Sequence, residues 1–508
     1  MENLQGVIME KWRTDFSQRC AVIAVGILCV YFIMAGTMAV TKRPWFDEAA
    51  FANPALDLIT RGSMGATISD PTGYGSVPGK TMVGVQTHVY YCMPLSILGQ
   101  ALWYKVAGFG VLPMRLYHVL WGVAALAAWC FIVWVLTGAC APALLAAFFI
   151  ATDRAFIDAA ASGRPDMMSA AFAALAIAFY LGLRERSLGA AICWSQVLLA
   201  CALFTHPIGA LAGFILVVLA FRLDFRRLRW QYLYLAAIPY LVGFGLWGFY
   251  ISKDPEAFRT QFGMNSAGRA AGLPDPLGAI AREVQDRFLD RMYLPGYASG
   301  VRRITVVIPV IYAFAVVLLA FRKHGPRLIA VIALAYFFVF GVLESTKPPF
   351  YLVHITPLLA CCLAVWTWLE WKRGGVRCWA VAAIAVMLVA TQVAWMAYAC
   401  WQNPYRTAYA PAMNFLDQRA GSKSLIIGNS ELGFHFGFYN NVVDDSTLGY
   451  YSGKRADFIV VDDNGYREAF KGYASRHPNL DRYVRKTLTD DYREVYKGPI
   501  YTVYQRRD

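Results

Sequence analysis

Charge is what this sequence has least of. Only 16% of its 508 residues are charged, while 58% are hydrophobic; soluble domains run near about 25% and roughly 45–50%. A water-soluble fold would have nowhere to hide that excess, whereas a bilayer solvates apolar faces directly. Nucleotide-binding signatures are also missing. There is no P-loop and no GxGxxG in a strand–turn–helix setting, so a nucleotide donor is not indicated. The eleven cysteines, an odd number lying mostly inside apolar runs, form no CxxC pair and no Cys/His metal spacing. They read as small buried hydrophobes rather than a disulfide framework or a zinc site. No internal repeat or low-complexity run is present. The net charge of +14 does not point to nucleic acid, because the basic residues sit in short loops between apolar runs, the arrangement of the positive-inside bias.

What is present is a series of apolar runs. They predict about eleven membrane helices, at 20–40, 115–137, 141–157, 167–183, 188–205, 207–221, 230–251, 301–321, 327–344, 350–369 and 376–400. The runs are too long and too uniformly apolar for barrel strands. The first has span length and no small-residue cleavage site, so it is expected to stay as a helix rather than be removed as a signal. With Lys11, Arg13 and Arg19 in the cytoplasm, the loops carrying Arg184/Arg186, Arg222/Arg226/Arg227/Arg229, Arg322/Lys323/Arg327 and Lys372/Arg373/Arg377 all fall on that same side. Two long loops, 41–114 and 252–300, then lie outside, as does a tail over 401–508. In the tail SLIIGN and DFIVVDD read as buried strands, and REVYKGPIYTVYQ as a late hairpin. The expected fold is an all-α polytopic membrane domain over 1–400, followed by a small α/β domain outside the cytoplasm. Within the first loop, MPLSILGQALWYKVAG predicts an amphipathic helix lying on the membrane surface.

The outer ends of the helices gather the chemistry. Asp47 and Glu48 follow the first run in TKRPWFDEAAF; adjacent carboxylates beside lipid are costly unless solvated or paired, and at a helix N-terminus they also favour its dipole. A second cluster, ATDRAFIDAAASGRPDMM, brings Asp153, Arg154, Asp158, Arg164 and Asp166 to the same face. Asp158 is one helical turn from Arg154, which predicts a pair between them. A third group, ESTKPPFYLVHITPLL, holds Lys347, Tyr351 and His354, the last two on one helix face. A lone histidine is more often structural, and a lone lysine at a helix end more often a snorkelling anchor. His206-Pro207 caps a tight outer turn; Lys80, Tyr90 and Tyr91 are weaker contacts. Together these residues predict an outer cavity with carboxylates on one wall and cationic or hydrogen-bonding groups on others. Such a cavity suits a phosphate carried on a hydrophobic chain, faced by a carboxylate base.

In this order and spacing the segments WFDEAAF, YYCMPLSILGQALWYKVAGFGVLPMRL, ATDRAFIDAAASGRPDMM and KPPFYLVHITPLL resemble the GT-C superfamily of membrane glycosyltransferases. More narrowly they resemble the protein O-mannosyltransferase branch and its bacterial relatives that transfer 4-amino-4-deoxy-L-arabinose or other sugars onto lipid A or glycans. The resemblance spans about residues 20–370. It implies a polyprenyl-phosphate sugar donor, inverting transfer to a lipid, glycan or protein acceptor, and a bacterial inner-membrane location. It also implies Asp47 as catalytic carboxylate, Glu48 supporting it and Asp158 on the same wall. Lys80, Arg164, Asp166, Lys347, Tyr351 and His354 become contacts to donor phosphate or sugar. One departure stands out: Tyr91-Cys92-Met93-Pro94 keeps only the proline of a His-x-Pro found in many relatives. No cofactor is demanded; the carboxylates have the chemistry to hold a divalent cation, but no ligand spacing requires one. The alternative is a transporter or flippase of a lipid-linked substrate, disfavoured because transporters place ionisable groups near the midplane, and here nearly all charges lie at helix ends. A non-catalytic receptor or assembly subunit is a third reading.

Overall fold

The computed structural model describes residues 18–72, 82–266, 269, 272–292, 306–322, 325–439 and 441–507. Helices dominate. The first is α1 (Gln18–Thr41), followed by the shorter helices α2 (Phe46–Arg61) and α3 (Pro94–Ala107). Then come α4 (Val111–Thr137), α5 (Cys140–Ala151), α6 (Arg154–Ala160), α7 (Asp166–Leu183), α8 (Leu188–Thr205), α9 (Ala212–Asp224) and α10 (Tyr232–Ile251). The second long loop carries α11 (Pro255–Ser266) and α12 (Pro276–Arg282), and α13 (Val307–Ala320), α14 (Gly325–Leu343), α15 (Thr356–Arg373) and α16 (Val376–Gln402) complete the bundle. Among the described residues eight helices are long and apolar enough to cross a membrane, or nine if the bent pair α5–α6 is one span. This is a multi-pass membrane protein. The other two expected spans fall on α13, which has 14 residues, and on α15, whose end carries Glu370, Lys372 and Arg373.

One expected span is not continuous. The run at 141–157 breaks at Thr152–Asp153, and α5 and α6 meet at 63°. Asp153 explains the break. Its carboxylate caps α6 by accepting the Phe156 N–H at 3.0 Å, and also accepts from Tyr312 Oη, Gln392 Nε2 and Thr356 Oγ1 at 3.0–3.2 Å. A side chain that offers the backbone this alternative ends a helix as well as starting one.

The core is built on small residues. α7 packs against α4 and α8 through buried Ala170, Ala171, Ala173, Ala174, Ala176 and Ala178, which let helix backbones approach closely where lipid supplies no hydrophobic drive. α3 has two apolar faces: Ile97, Ala101 and Tyr104 are buried, while Leu98, Leu102 and Val106, spaced by four, are exposed. That outward stripe is what a helix lying along a bilayer surface presents.

The C-terminal region forms a five-stranded sheet in the order β2-β1-β3-β5-β4. β1 (Ile426–Ile427) pairs in parallel with β2 (Val442–Val443) and β3 (Phe458–Asp462); β5 (Tyr501–Arg506) runs antiparallel to β3 and to β4 (Tyr492–Lys497). Helices α17 (Ala410–Asp417), α18 (Tyr466–Arg476) and α19 (Pro478–Lys486) flank it. Its core is continuous with the first long loop: Ala49 and Ile68 are buried with Leu416, Leu432, Phe438 and Val503. The Asp444 N–H donates to Ile68 O at 2.8 Å, and Lys454 pairs with Asp70 at 2.5 Å. The sheet therefore sits on the end of the bundle that carries Asp47, opposite the basic loops.

Candidate functional site

Position 48 is the keystone of the end of the bundle that carries Asp47. Glu48 is fully buried, and Arg115, entering α4, is buried with it. Its oxygens accept from Arg115 Nε and Nη2 at 2.9 and 2.7 Å, from the Gly163 N–H at 2.8 Å and from the Trp45 N–H at 3.3 Å. Arg115 spends its other protons on the carbonyls of Ala39, Lys42 and Arg43 at 2.7–2.9 Å. Burial pushes the Glu48 carboxyl up, but the guanidinium and the Gly163 N–H outweigh it and hold the group below the ordinary glutamate range. This pair ties the end of α1, the start of α2, α4 and the turn before α7 together. A side chain at 163 would strike Met114, so the glycine is what lets that turn come close.

With Glu48 turned inward, Asp47 turns outward. Its carboxylate pairs with Arg164, which also binds Asp166 at 2.8 Å. The Arg164 guanidinium lies 3.7 Å over the Phe350 ring. The two acidic segments thus meet in one place, and Arg164 and Phe350 line the cavities on both sides of it.

The first cavity, about 820 Å³, is roofed by the C-terminal sheet. Lys42, Arg154, Asp158 and Asp166 line it from the bundle, and Glu431, Asp462, Asn464 and Glu468 from the roof. Asp158 pairs with Lys42, just beyond α1, at 2.9 Å, and the Arg154 charge one helical turn away acts on it as well. The Arg154 guanidinium reaches across to α16 and lies 4.5 Å from the Trp395 ring centroid. Arg43 and Glu431 pair at 2.7 Å beneath Tyr501. Burial foremost, with Asp462 nearby, pushes the Glu431 carboxyl up to about 8.

The second cavity, about 510 Å³, is lined by Asp47, Arg164, His206, Arg269, Glu344, Phe350 and Tyr351 among others. Arg269 holds neutral partners: Tyr351 Oη at 2.8 Å, and Asn265 O and Oδ1 at 2.6 and 2.9 Å. His206 caps its turn, its Nδ1 accepting the Ile208 N–H at 3.3 Å. Burial drives its pKa down to about 3, so the ring is neutral and carries its proton on Nε2, 3.3 Å from Tyr351 Oη. Tyr351 oxygen therefore accepts twice, leaving its own proton to donate.

Two expected contacts lie elsewhere. Lys347 lines neither cavity. It is buried, pairs with Glu283 at 2.9 Å and donates to the Glu344 carbonyl at 2.5 Å, in an ionic knot that includes Arg287. His354 is buried with its ring centroid 6.5 Å from that of Tyr351, and likewise lines neither. Lys80 lies outside the described residues. Sequence reasoning singled out neither Lys42, Arg43, Arg269 nor Glu431. Arg115 did carry a signal, since an arginine entering an apolar helix requires a partner. Among the described residues no group of three or more His, Cys, Asp or Glu side chains is placed to hold a metal ion.

Beside the second cavity runs an apolar groove of about 580 Å³ between α3, α8 and α10, lined by Pro94, Leu98, Phe204, Ile238, Val242 and Trp247 among others. Met93, which lines the cavity, packs with Phe204 and Trp247 of the groove.

The arrangement of a helical membrane bundle with a polar site at one end, a surface helix and a small terminal sheet is a fold that the chain shares with solved membrane proteins. Among solved structures it is similar to ArnT from Cupriavidus metallidurans bound to undecaprenyl phosphate, with a TM-score of 0.61 at 16% identity over 95% of this chain and 97% of that one. It is also similar to the oligosaccharyltransferase AglB from Archaeoglobus fulgidus in complex with an inhibitory peptide and a dolichol-phosphate, with a TM-score of 0.53 at 11% identity over 90% and 72%. No protein-family model and no curated protein sequence matches the chain.

Proposed function

We propose that this protein is an inverting glycosyltransferase. It moves a sugar from a polyprenyl-phosphate donor to a lipid, glycan or protein acceptor, at the extra-cytoplasmic face of a bacterial inner membrane. The observation that carries the reading is the position of Asp47, a carboxylate that lines the polar cavity beside a lipid-facing apolar groove and pairs with Arg164, which lines the roofed cavity as well. The groove suits the polyprenyl tail. Arg269, Arg164 and the Tyr351 hydroxyl suit the phosphate, because charge-assisted bonds from guanidinium groups are the strong way to hold one. The solved neighbours point the same way: one has undecaprenyl phosphate bound and the other dolichol-phosphate. The basic loops at the far end of the bundle favour a C-terminal sheet outside the cytoplasm.

In the reaction an acceptor oxygen attacks the anomeric carbon, and the bond from that carbon to the phosphate oxygen breaks on the opposite side. The oxygen's proton passes to Asp47. The lipid phosphate leaves with the bonding pair, stabilised by Arg269, Arg164 and Tyr351. Asp158, held by Lys42 on the wall of the roofed cavity, positions groups rather than titrating. The test is transfer of radiolabelled sugar from an undecaprenyl-phosphate donor by the purified full-length protein. Asp47→Asn is expected to abolish turnover while leaving insertion and thermal stability intact. Near-normal turnover in that variant removes the assignment of Asp47, and no transfer by the unaltered protein to any acceptor removes the reading itself.

A further inference from the structure

α3 is fastened from inside by a side chain that the proposed reaction does not use. Gln100 is fully buried and engages both ends of its amide. Its nitrogen donates to the Gly163 carbonyl at 3.2 Å and lies 3.1 Å from His118 Nε2, and its oxygen accepts from Tyr104 Oη at 3.0 Å. A carbonyl only accepts, so the amide nitrogen must face it. The second amide proton then points to His118 Nε2, which accepts. The histidine proton is left on Nδ1, buried and without a hydrogen-bond partner among the described residues. An unpaired buried N–H costs stability, and an apolar residue at 118 would avoid that cost. What the histidine supplies is an acceptor that keeps the amide from turning away from Gly163. Gly99 makes the reach possible, because a side chain there would strike Tyr117 of α4.

The carbonyl that Gln100 holds belongs to the peptide group whose nitrogen is that of Arg164. The group is planar, so fixing its oxygen fixes the direction in which the chain enters Arg164. The preceding peptide group is fixed from the other side, where the Gly163 N–H donates to Glu48 at 2.8 Å. Pro165 restricts the Arg164 backbone beyond it. Glycine is the most permissive residue for the backbone, so without these two bonds the turn between α6 and α7 would be free to swing at Gly163. The guanidinium it carries meets Asp47, Asp166 and the Phe350 ring together. A side chain of fixed length reaches all three from a narrow range of backbone positions.

We infer that Gln100 is a positioning residue for Arg164: through one amide, α3 sets the peptide from which the guanidinium reaches Asp47. This rests on the glycosyl-transfer reading and deepens it. α3 also borders the apolar groove with Pro94, Leu95 and Leu98, so the helix beside the donor tail is the one that places the arginine. Gln100 touches neither substrate; its effect on turnover passes through Gly163 to Arg164.

The experiment is a double-mutant cycle in the purified full-length protein, read by steady-state transfer from an undecaprenyl-phosphate sugar donor and from a short-chain analogue. Gln100→Met keeps the volume and removes the amide. It is expected to lower kcat about tenfold with both donors while moving KM less than about threefold, the pattern of misplaced catalytic groups. In the Arg164→Lys background the same change should cost less than about twofold, because residues that act through one another are not additive. Tyr104→Phe, which frees only the amide oxygen, should show a smaller loss with the same coupling and takes over if Gln100→Met does not fold. Hydrogen–deuterium exchange reads the placement without turnover. In either variant the amides of residues 159–166 should exchange faster, with those of α2 unchanged. Additive losses in the cycle overturn the proposal, as does a loss confined to KM for the long-tailed donor, which would mean that Gln100 merely seats α3. Unchanged exchange over 159–166, or equal quickening in α2, overturns it as well. If the unaltered protein transfers no sugar, the glycosyl-transfer reading falls, and the exchange result alone upholds or overturns the hold of Gln100 on the turn.

Discussion

Replacing Glu48 by alanine separates a structural clamp from a catalytic pair. In the native protein the carboxylate satisfies two Arg115 N–H groups and the backbone N–H groups of Gly163 and Trp45. Removing it leaves a buried guanidinium supported only by the carbonyls of Ala39, Lys42 and Arg43. Breaking a buried ion pair by deleting one partner costs about 3–5 kcal/mol. The surviving carbonyl bonds place this case toward the lower half of that range. Glu48→Gln, which keeps one acceptor oxygen, should lose less. Thermal unfolding of purified protein, followed by tryptophan fluorescence in one detergent, reads both. Adding Arg115→Met to Glu48→Ala should recover part of the loss, because the orphaned charge goes with it. The sign of the pH dependence is also fixed. The Glu48 pKa is depressed in the fold, so its contribution is present above the ordinary glutamate value and lost as pH falls through the depressed one. The acid limb of the stability profile should therefore flatten in Glu48→Gln. The reasoning is refuted if Glu48→Ala melts with the unaltered protein yet loses turnover, since Glu48 would then act on substrate rather than on the fold.

Three further outcomes follow from the same geometry. Arg269→Ala should weaken undecaprenyl phosphate binding about ten- to a hundredfold, the loss of one or two bonds to a charged group, and a titration with the lipid checks it. Asp444, pushed up to about 7 first by burial and then by neighbouring Asp445, favours the docked sheet in its protonated form. Its contribution is full below the ordinary aspartate value and lost as pH rises through about 7, so Asp444→Asn should melt above the unaltered protein at pH 8 and close to it at pH 4. Gly243 lines the groove with its open side against Phe204. Gly243→Val should force that ring into the groove and raise KM for a long-tailed donor more than for a short-chain analogue.

The bundle was legible because lipid imposes it: runs of span length admit helices and little else. The strands of the tail were legible for a similar reason, since DFIVVDD and SLIIGN are too apolar to be anything but buried. The site was legible only as far as local sequence reaches. Asp47, Arg164 and Asp166 lie near one another in two short motifs, and the structure brings them into contact. Arg43 and Glu431 are 388 positions apart, and no periodicity announces such a pair. Arg269 lies in a polar loop among other arginines, so its neutral surroundings emerge only from the fold. The predicted partner of Asp158 was half the answer. Arg154, one helical turn away, acts on Asp158 through its charge, but the hydrogen-bonded partner is Lys42, which lies 116 positions from it in sequence. Lys347 looked like an anchor or a phosphate contact, and only the tertiary meeting of α14 with the second loop turns it into one corner of a buried ionic knot.

Arg164 is where charge number and geometry become inseparable. One guanidinium serves Asp47 and Asp166 through different nitrogens while its face rests on Phe350. A planar fork performs those three tasks together, and a lysine ammonium, a compact point charge, does not. On the proposed mechanism, a donor phosphate in the Arg269 cavity would share the same guanidinium as a third anion and weaken its hold on Asp47 as the base is needed. Arg164→Lys keeps the charge but removes this sharing. Its expected effect is on kcat, by about a hundredfold or more, with KM for the donor changed far less because Arg269 and Tyr351 still hold the phosphate. Steady-state kinetics with varied donor at saturating acceptor separates the two constants. A large rise in KM with kcat preserved would mean that Arg164 merely binds phosphate, and that Asp47 is not governed by it.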